Sequence, residues 1–282
     1  MIILTVLNDR FFADDDYLAV SAQSHTFVTL VVSFLLVSRV NTALSRYSSA
    51  RSSLSIMYRE SRELVQSACV FSGASHDLSS KEWRHELAYR SMALLRVVMA
   101  VIDFPTTKIA AWEVSELNGA EREDVERTIF LNPDLQRLSH SESSEQSVWK
   151  ETMRVPVRLA YALRKTIHSQ NQRVAEPAHV ALESRLHGSV DAFMQGYYGM
   201  RVFLTTPVPF PLVQMARTFL FLYVFTIPFV LLADKSGLLA HVGAVFVMTY
   251  GFVGLELVAI ELDNPFGDDD NDFDNEYVPL CD

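Results

Sequence analysis

The residues best suited to binding chemistry form an acidic cluster near the C-terminus. Six acids fall between Asp268 and Glu276, and no Lys or Arg follows Lys235. Such a cluster repels itself unless it is solvated or bound to a cation. Asp and Asn oxygens are hard ligands that suit Ca²⁺, and the Asn-Pro-Phe-Gly turn at 264–267 would present backbone carbonyls. The pattern is typical either of a calcium site, although not of an EF-hand, or of an acidic, disordered tail.

Length and composition limit the classes of protein that carry such a cluster. The chain has 282 residues, 49% of them hydrophobic, and a formal net charge of −10. This length allows one large or two modest domains. The negative charge and the lack of a basic stripe argue against nucleic acid as a partner. Two cysteines, Cys69 and Cys281, are too few for a disulfide framework.

Three apolar segments are candidates to cross a bilayer. Residues 212–233 and 238–260 each match the roughly 20 residues that a membrane helix needs. The short link at 234–237 makes them an antiparallel hairpin, for which a soluble core hairpin is the alternative. Residues 24–40 are shorter and rich in Ser and Thr, which suits a helix that packs on other helices or lines a pore. A buried helix of a soluble protein would look similar.

The distribution of basic residues orients these segments. Of 24 Lys and Arg residues, 20 lie between Arg46 and Arg201. Basic residues favour the cytoplasmic side, so we expect this region on the cytoplasmic or stromal side. Three spans return the acidic tail to that same side, where it can meet the region between the spans.

The region between the spans has the periodicity of helices, with apolar residues three and four apart and charges opposite. We expect helices at 58–72, 81–102, 156–170 and 178–198. Residues 106–150 are polar and are interpreted as a variable excursion. The predicted fold class is an all-α membrane protein with a cytosolic helical region.

Three motifs in order along the chain resemble those of one family. They are Arg-Val-Asn-Thr-Ala-Leu-Ser-Arg-Tyr at 39–47, Thr-Thr-Pro-Val-Pro-Phe-Pro-Leu-Val at 205–213, and the acidic run that begins at Asn264. Together they are similar to the bestrophins, a family of pentameric anion channels. The first two resemble the plastid and bacterial branch, although Ser45 and Tyr47 replace its usual acid and Trp. The acidic motif is closer to the animal branch.

The resemblance implies a division of the chain into five regions. These are a remnant of a first membrane helix and loop (1–23), a pore or neck helix (24–51), a cytosolic helical region (52–209), a transmembrane hairpin (210–260) and an acidic clasp (261–282). Family members carry a further membrane helix, of which residues 1–8 could only be the end. We therefore expect an incomplete or shortened chain, lacking a backbone calcium ligand and some subunit contacts.

The resemblance also implies two constrictions of a pore. Phe27, Val31 and Phe34, spaced by four and three, share one helical face and would form an apolar neck in a ring of five. Ordinary core contacts are the alternative. Val208 is the candidate for a second, cytosolic aperture, with Thr205 and Phe210 as further candidates. Because three prolines interrupt this stretch, it is predicted to be extended; a simple linker between helices is the alternative.

Two further sets of residues follow from the same resemblance. The calcium ligands implied are Glu261, Asn264, Asp269 and Asp272. Arg39, Asn41, Arg46 and Arg51 lie at the inner end of the pore helix. The three arginines are expected to anchor the helix or to pair with acids on a neighbouring helix, and the alternative is that they concentrate anions.

The predicted function is a subunit of a homopentameric anion channel that passes chloride, with bicarbonate or nitrate as further permeant ions, in the plasma membrane or the thylakoid membrane. The alternative is a non-conducting scaffold or regulatory subunit. An enzyme is disfavoured because no catalytic motif is evident. A secondary transporter is disfavoured because neither an internal repeat nor an intramembrane charge pair is evident.

Overall fold

The protein is described from a computed structural model, which covers residues 22–73, 75–130, 144–174, 180–231, 237–266 and 273. Within these ranges the regular elements are helices and no strand occurs. They are α1 (Ala22–Phe71), α2 (Leu78–Thr107), α3 (Gly119–Phe130), α4 (Ser144–Thr152), α5 (Val155–His168), α6 (Gln170–Arg173), α7 (Val180–Thr205), α8 (Phe210–Leu231) and α9 (Leu238–Asp263). A short 3-10 turn at Ala111–Glu113 follows α2. The predicted all-α fold class is confirmed.

The chain divides into two compact units. The first, here called the membrane unit, comprises Met1–Ser48 and Thr206–Pro265, and the second, the helical unit, comprises Ser49–Thr205 and Phe266–Asp282. Three helices, α1, α8 and α9, are long and apolar enough to cross a membrane. They overlap the three predicted spans, although α1 extends well beyond residues 24–40.

Helix α1 is longer than the pore helix expected at 24–51. It has 50 residues and continues to Phe71, so it belongs to both units and includes the separate helix expected at 58–72. The physical reason is visible in the sequence, because no Gly or Pro occurs between Met1 and Gly73 to end the helix.

The core of the membrane unit forms where α1 packs on the α8–α9 hairpin. Val32 and Leu36 of α1 are fully buried and belong to one apolar cluster with residues of both hairpin helices. The hairpin partners are Leu220, Tyr223, Val224, Ile227 and Val245. These contacts fix which face of α1 points inward.

The core of the helical unit is larger and is built mainly from α2, α5 and α7. Trp83 is 1% exposed, and its indole Nε1 donates a hydrogen bond of 2.8 Å to the Thr166 carbonyl. Where α7 crosses α1, a Cβ at Gly196 would lie 2.8 Å from Met57 Cγ and 2.9 Å from the Ser53 carbonyl oxygen. The glycine therefore permits a helix contact that any larger residue would push apart.

Candidate functional site: helix α1 and its contacts

The N-terminal half of α1 has two faces of different character. Val32, Leu36, Arg39 and Ala43, spaced by four, three and four, are each 0–1% exposed. On the opposite face, Phe27 is 75%, Val31 41% and Phe34 70% exposed. The three predicted neck residues thus share one apolar face, which the single chain leaves uncovered. Asn41 is also exposed, seven residues after Phe34 and so on the same side.

Arg39 connects the buried face of α1 to the end of α9. Its guanidinium pairs with the Asp263 carboxylate through two hydrogen bonds, one of which joins Nη1 to Oδ1 at 3.2 Å. The Arg39 side chain is 2% exposed and that of Asp263 25%. Such a two-pronged geometry is the strongest form of Arg–carboxylate contact. The expectation that this arginine pairs with an acid on a neighbouring helix agrees with the contact.

Arg46 contacts the segment that precedes α8. Its Nη1 donates a hydrogen bond of 2.7 Å to the carbonyl oxygen of Thr206. Residues 206–209 are not helical, as the prolines predict, and α8 begins at Phe210. One side chain of α1 therefore holds the backbone of the candidate aperture segment. Arg51, in contrast, is exposed and forms no ion pair with any described residue.

The three aperture candidates differ in their surroundings. Val208 is half-buried, whereas Thr205 and Phe210 are exposed, Phe210 by 73%. Thr205 is the last residue of α7, and its hydroxyl donates to the Arg201 carbonyl at 2.8 Å, a bond within its own helix. Of the three, Val208 lies in the non-helical segment that Arg46 contacts.

The candidate calcium ligands fall partly outside the described residues. Glu261 and Asn264 are both exposed at the end of α9, where the Asn264 N–H donates to the Glu261 carbonyl at 3.4 Å. Asp269 and Asp272 lie outside the described residues. Among the residues that the structure describes, no group of three or more His, Cys, Asp or Glu side chains is placed to hold a metal ion.

Two aromatic residues flank the first four acids of the acidic run. Phe266, which is 6% exposed, makes an edge contact with Phe203 of α7 at a centroid distance of 5.7 Å. Phe273 lies 5.3 Å from Phe266. The two ends of the segment that contains Asp269 and Asp272 are therefore held close together within the helical unit.

A charge pair within the hairpin corrects one expectation. Arg217 Nε of α8 donates to Glu256 Oε1 of α9 at 2.8 Å, so the prediction that no intramembrane charge pair occurs is wrong. The Glu256 side chain is 7% exposed. The sequence contains a signal for this pair: each helix of the antiparallel hairpin carries one charged residue in its apolar segment, Arg217 near the start of the first and Glu256 near the end of the second. Ion pairs of this kind also serve structure alone, so the pair does not favour a transporter.

Comparison with known proteins decides the family. The profile of the bacterial and fungal bestrophin proteins matches residues 1–276. The chain belongs to the bestrophin family. Membership implies an anion-channel function and a membrane location, and it supports the class of channels over that of enzymes.

Solved bestrophin structures share the fold at low sequence identity. A bacterial bestrophin homologue from Klebsiella pneumoniae is 16% identical, with 96% of this chain and 88% of that chain covered and a TM-score of 0.71. A single-residue variant of that homologue is 16% identical, with 96% and 89% covered and a TM-score of 0.68. No curated protein matches the chain. At this identity the similarity establishes the fold.

Proposed function

We propose that this bestrophin is one subunit of a homopentameric channel that passes chloride passively through a neck of Phe27, Val31 and Phe34. The observation that carries the proposal is that α1 has an exposed apolar face, while its opposite face is buried against the α8–α9 hairpin. Five copies arranged around an axis would cover this face and form an apolar constriction. Bicarbonate and nitrate are further permeant ions under the same proposal.

The chemistry of α1 favours anions over cations. No Asp or Glu occurs between Ala22 and Arg59, whereas four arginines do, including Arg39, Arg46 and Arg51. A cation in the neck would therefore meet no carboxylate from this helix. Aromatic rings carry positive potential at their edges, so inward-facing edges of Phe27 and Phe34 would stabilise a passing anion. An apolar ring of this kind can also gate by dewetting.

The proposal places a second constriction at Val208. The residue lies in the non-helical segment before α8, and the Arg46 contact to the Thr206 carbonyl holds that segment to the pore helix. Pro207 and Pro209 flank Val208 and restrict its backbone. A rigid segment that presents one small apolar side chain suits an aperture.

We also propose that the acidic tail binds Ca²⁺ and gates the channel. Glu261 would contribute its carboxylate and Asn264 its backbone carbonyl, and Asp269 and Asp272 their side chains. These oxygen donors are the kind that Ca²⁺ prefers. The contact between the Phe266 and Phe273 rings supports the assignment because it brings together two residues that flank Asp269 and Asp272 in the sequence. We further propose that the protein lies in the plasma membrane, with the thylakoid membrane as the alternative.

The test is the reversal potential of the purified protein in a planar bilayer under a KCl gradient. We expect reversal near the chloride equilibrium potential with calcium present, and loss of current when calcium is chelated. Asp269→Ala should abolish the calcium dependence, whereas Glu113→Ala, which removes an exposed acid of the helical unit, should retain it. Reversal toward potassium would reject the selectivity mechanism. No current from a verified pentamer would favour the non-conducting scaffold.

The neck has its own test in the same bilayer. Phe34→Ala removes most of a side chain from the proposed constriction, so we expect a larger single-channel conductance. Phe221→Ala is the matched control, because Phe221 is also an exposed Phe but lies on α8 and not on the helix that carries the proposed neck. An equal effect of both substitutions would show that Phe34 does not line the neck.

A further inference from the structure

The helical unit contains a charged cleft. Its volume is about 450 Å³, and α2, α3 and α5 contribute to its walls. One face of α5 supplies Arg158, Tyr161 and Lys165, spaced by three and four. Clefts of roughly 300–1,000 Å³ are of the size that holds small molecules.

The acids of the cleft already have partners. Glu86 accepts a hydrogen bond from Arg173 and forms an ion pair with Arg90 at 2.9 Å. Glu121 accepts from the Tyr89 hydroxyl at 2.9 Å. Burial alone would raise the pKa of the Glu86 carboxyl, but Arg173 and Arg90 together hold it below its ordinary value. Glu86 is therefore ionised at neutral pH, and its negative charge is compensated by Arg173 and Arg90 in the wall of the cleft.

The bases of the cleft outnumber its acids. Four bases, Arg90, Arg158, Lys165 and Arg173, face three acids, Glu86, Glu121 and Asp124. Arg158 pairs with Asp124 through two hydrogen bonds of 3.1 Å. Lys165 is exposed and makes no ion pair or side-chain hydrogen bond with any described residue. The Lys165 ammonium group is thus a positive charge that no described acid of the cleft compensates.

Arg158 is a second basic residue on the same wall of the cleft as Lys165. It lies two helical turns before Lys165 on the same face of α5, and its guanidinium carbon sits 5.5 Å from the centroid of the Tyr161 ring. The ring and the Asp124 carboxylate fix the position of the guanidinium. An ammonium and a fixed guanidinium along one wall form a site for an anion with several oxygens.

We propose that this cleft binds a small anion that carries phosphate or carboxylate groups, with the Lys165 ammonium as its principal ligand and Arg158 as the second. The site goes beyond the proposed conduction function and does not depend on it. The shared chemistry is that of multivalent oxyanions, which accept several charge-assisted hydrogen bonds, whereas chloride has no oxygen acceptors.

The experiment is calorimetric titration of the detergent-solubilised full chain with inorganic phosphate and, separately, with citrate. Sodium chloride at the same ionic strength is the reference. Saturable binding of phosphate alone would identify phosphate groups as the preferred chemistry, and binding of citrate alone would identify carboxylates. Failure of both probes to bind above the chloride reference would overturn the proposal.

A matched pair of variants locates the binding. Lys165→Ala is expected to weaken binding of the active probe by about tenfold or more, the loss that one charge-assisted hydrogen bond represents. Lys81→Ala removes an equal charge from an exposed position of α2 outside the cleft, and should leave the affinity unchanged. Equal weakening by both variants would mean that net charge, not the cleft, attracts the anion.

Discussion

The ion pair between Arg39 and Asp263 allows a prediction in which the two single substitutions have unequal effects. Asp263→Asn would leave a guanidinium whose side chain is 2% exposed, and a guanidinium remains charged in proteins. Breaking a buried pair in this way costs about 3–5 kcal/mol. Arg39→Met would leave a carboxylate that is 25% exposed and can be partly hydrated. We therefore expect Asp263→Asn to destabilise the protein more than Arg39→Met does.

The double variant, with Arg39→Met and Asp263→Asn together, measures the interaction energy between the two side chains. With both charges removed, no uncompensated charge remains, so its loss of stability should be smaller than the sum of the two single losses. For residues in one ion pair this difference is typically about 0.5–3 kcal/mol. The assay is thermal unfolding of the detergent-solubilised protein, with elution volume as a check on assembly. For a chain of this size 1 kcal/mol corresponds to about 2–4 °C in Tm.

Arg51→Met is the control, because Arg51 lies on the same helix but is exposed. It should change stability by no more than about 0.5 kcal/mol. If Asp263→Asn behaves like this control, or if the losses of the two single variants simply add, the ion pair does not stabilise the protein as described.

Three further predictions concern other contacts. Arg46→Gln should release the segment before α8 and alter single-channel conductance, with the reversal potential unchanged; identical conductance would show that the contact does not position the aperture. Arg217→Gln should lower the Tm more than Glu256→Gln, because it leaves a carboxylate that is 7% exposed, whereas the Arg217 side chain is 43% exposed. The pKa of Glu86 is lowered from 4.5, so its contribution to stability is present above that pH and is lost as pH falls below it. The Tm of Glu86→Gln should therefore fall less than that of the native protein as the pH is lowered from about 5 to about 3, and equal falls would contradict the assignment.

Local patterns predicted most of the fold. The predicted spans 212–233 and 238–260 differ from Phe210–Leu231 and Leu238–Asp263 by two or three residues at most. Hydropathy determines such spans, and Pro211 is tolerated in the first turn of α8 because its missing N–H has no helical partner there. The length of α1 was also present in the sequence, as the absence of Gly and Pro, but the family motif suggested an earlier end.

Contacts between distant residues were harder to predict. Arg39 and Asp263 are 224 residues apart, and the sequence around each residue does not indicate that the other is its partner. Periodicity identified Phe27, Val31 and Phe34 as one face, but only packing shows that the opposite face is the buried one. Asp263 lies between two of the proposed ligands, Glu261 and Asn264, so the sequence pattern groups it with the acids of the tail and gives no sign of its partner on α1.

The position of Asp263 joins the proposed calcium site to the proposed neck. Arg39 follows Phe34 by five residues, which places the two side chains about 140° apart around the same rigid helix. A shift of the end of α9 upon calcium binding would therefore act on α1 from the side opposite the neck. Coupling of this kind is reciprocal, so a substitution in the neck that shifts the equilibrium between closed and open channels also changes the calcium affinity, because calcium binding would shift the same equilibrium. Phe34→Ala should consequently shift the calcium concentration for half-maximal binding, although Phe34 is no calcium ligand. Arg39→Met should remove that shift, and a shift of the same size in the Arg39→Met background would show that the ion pair does not carry the coupling.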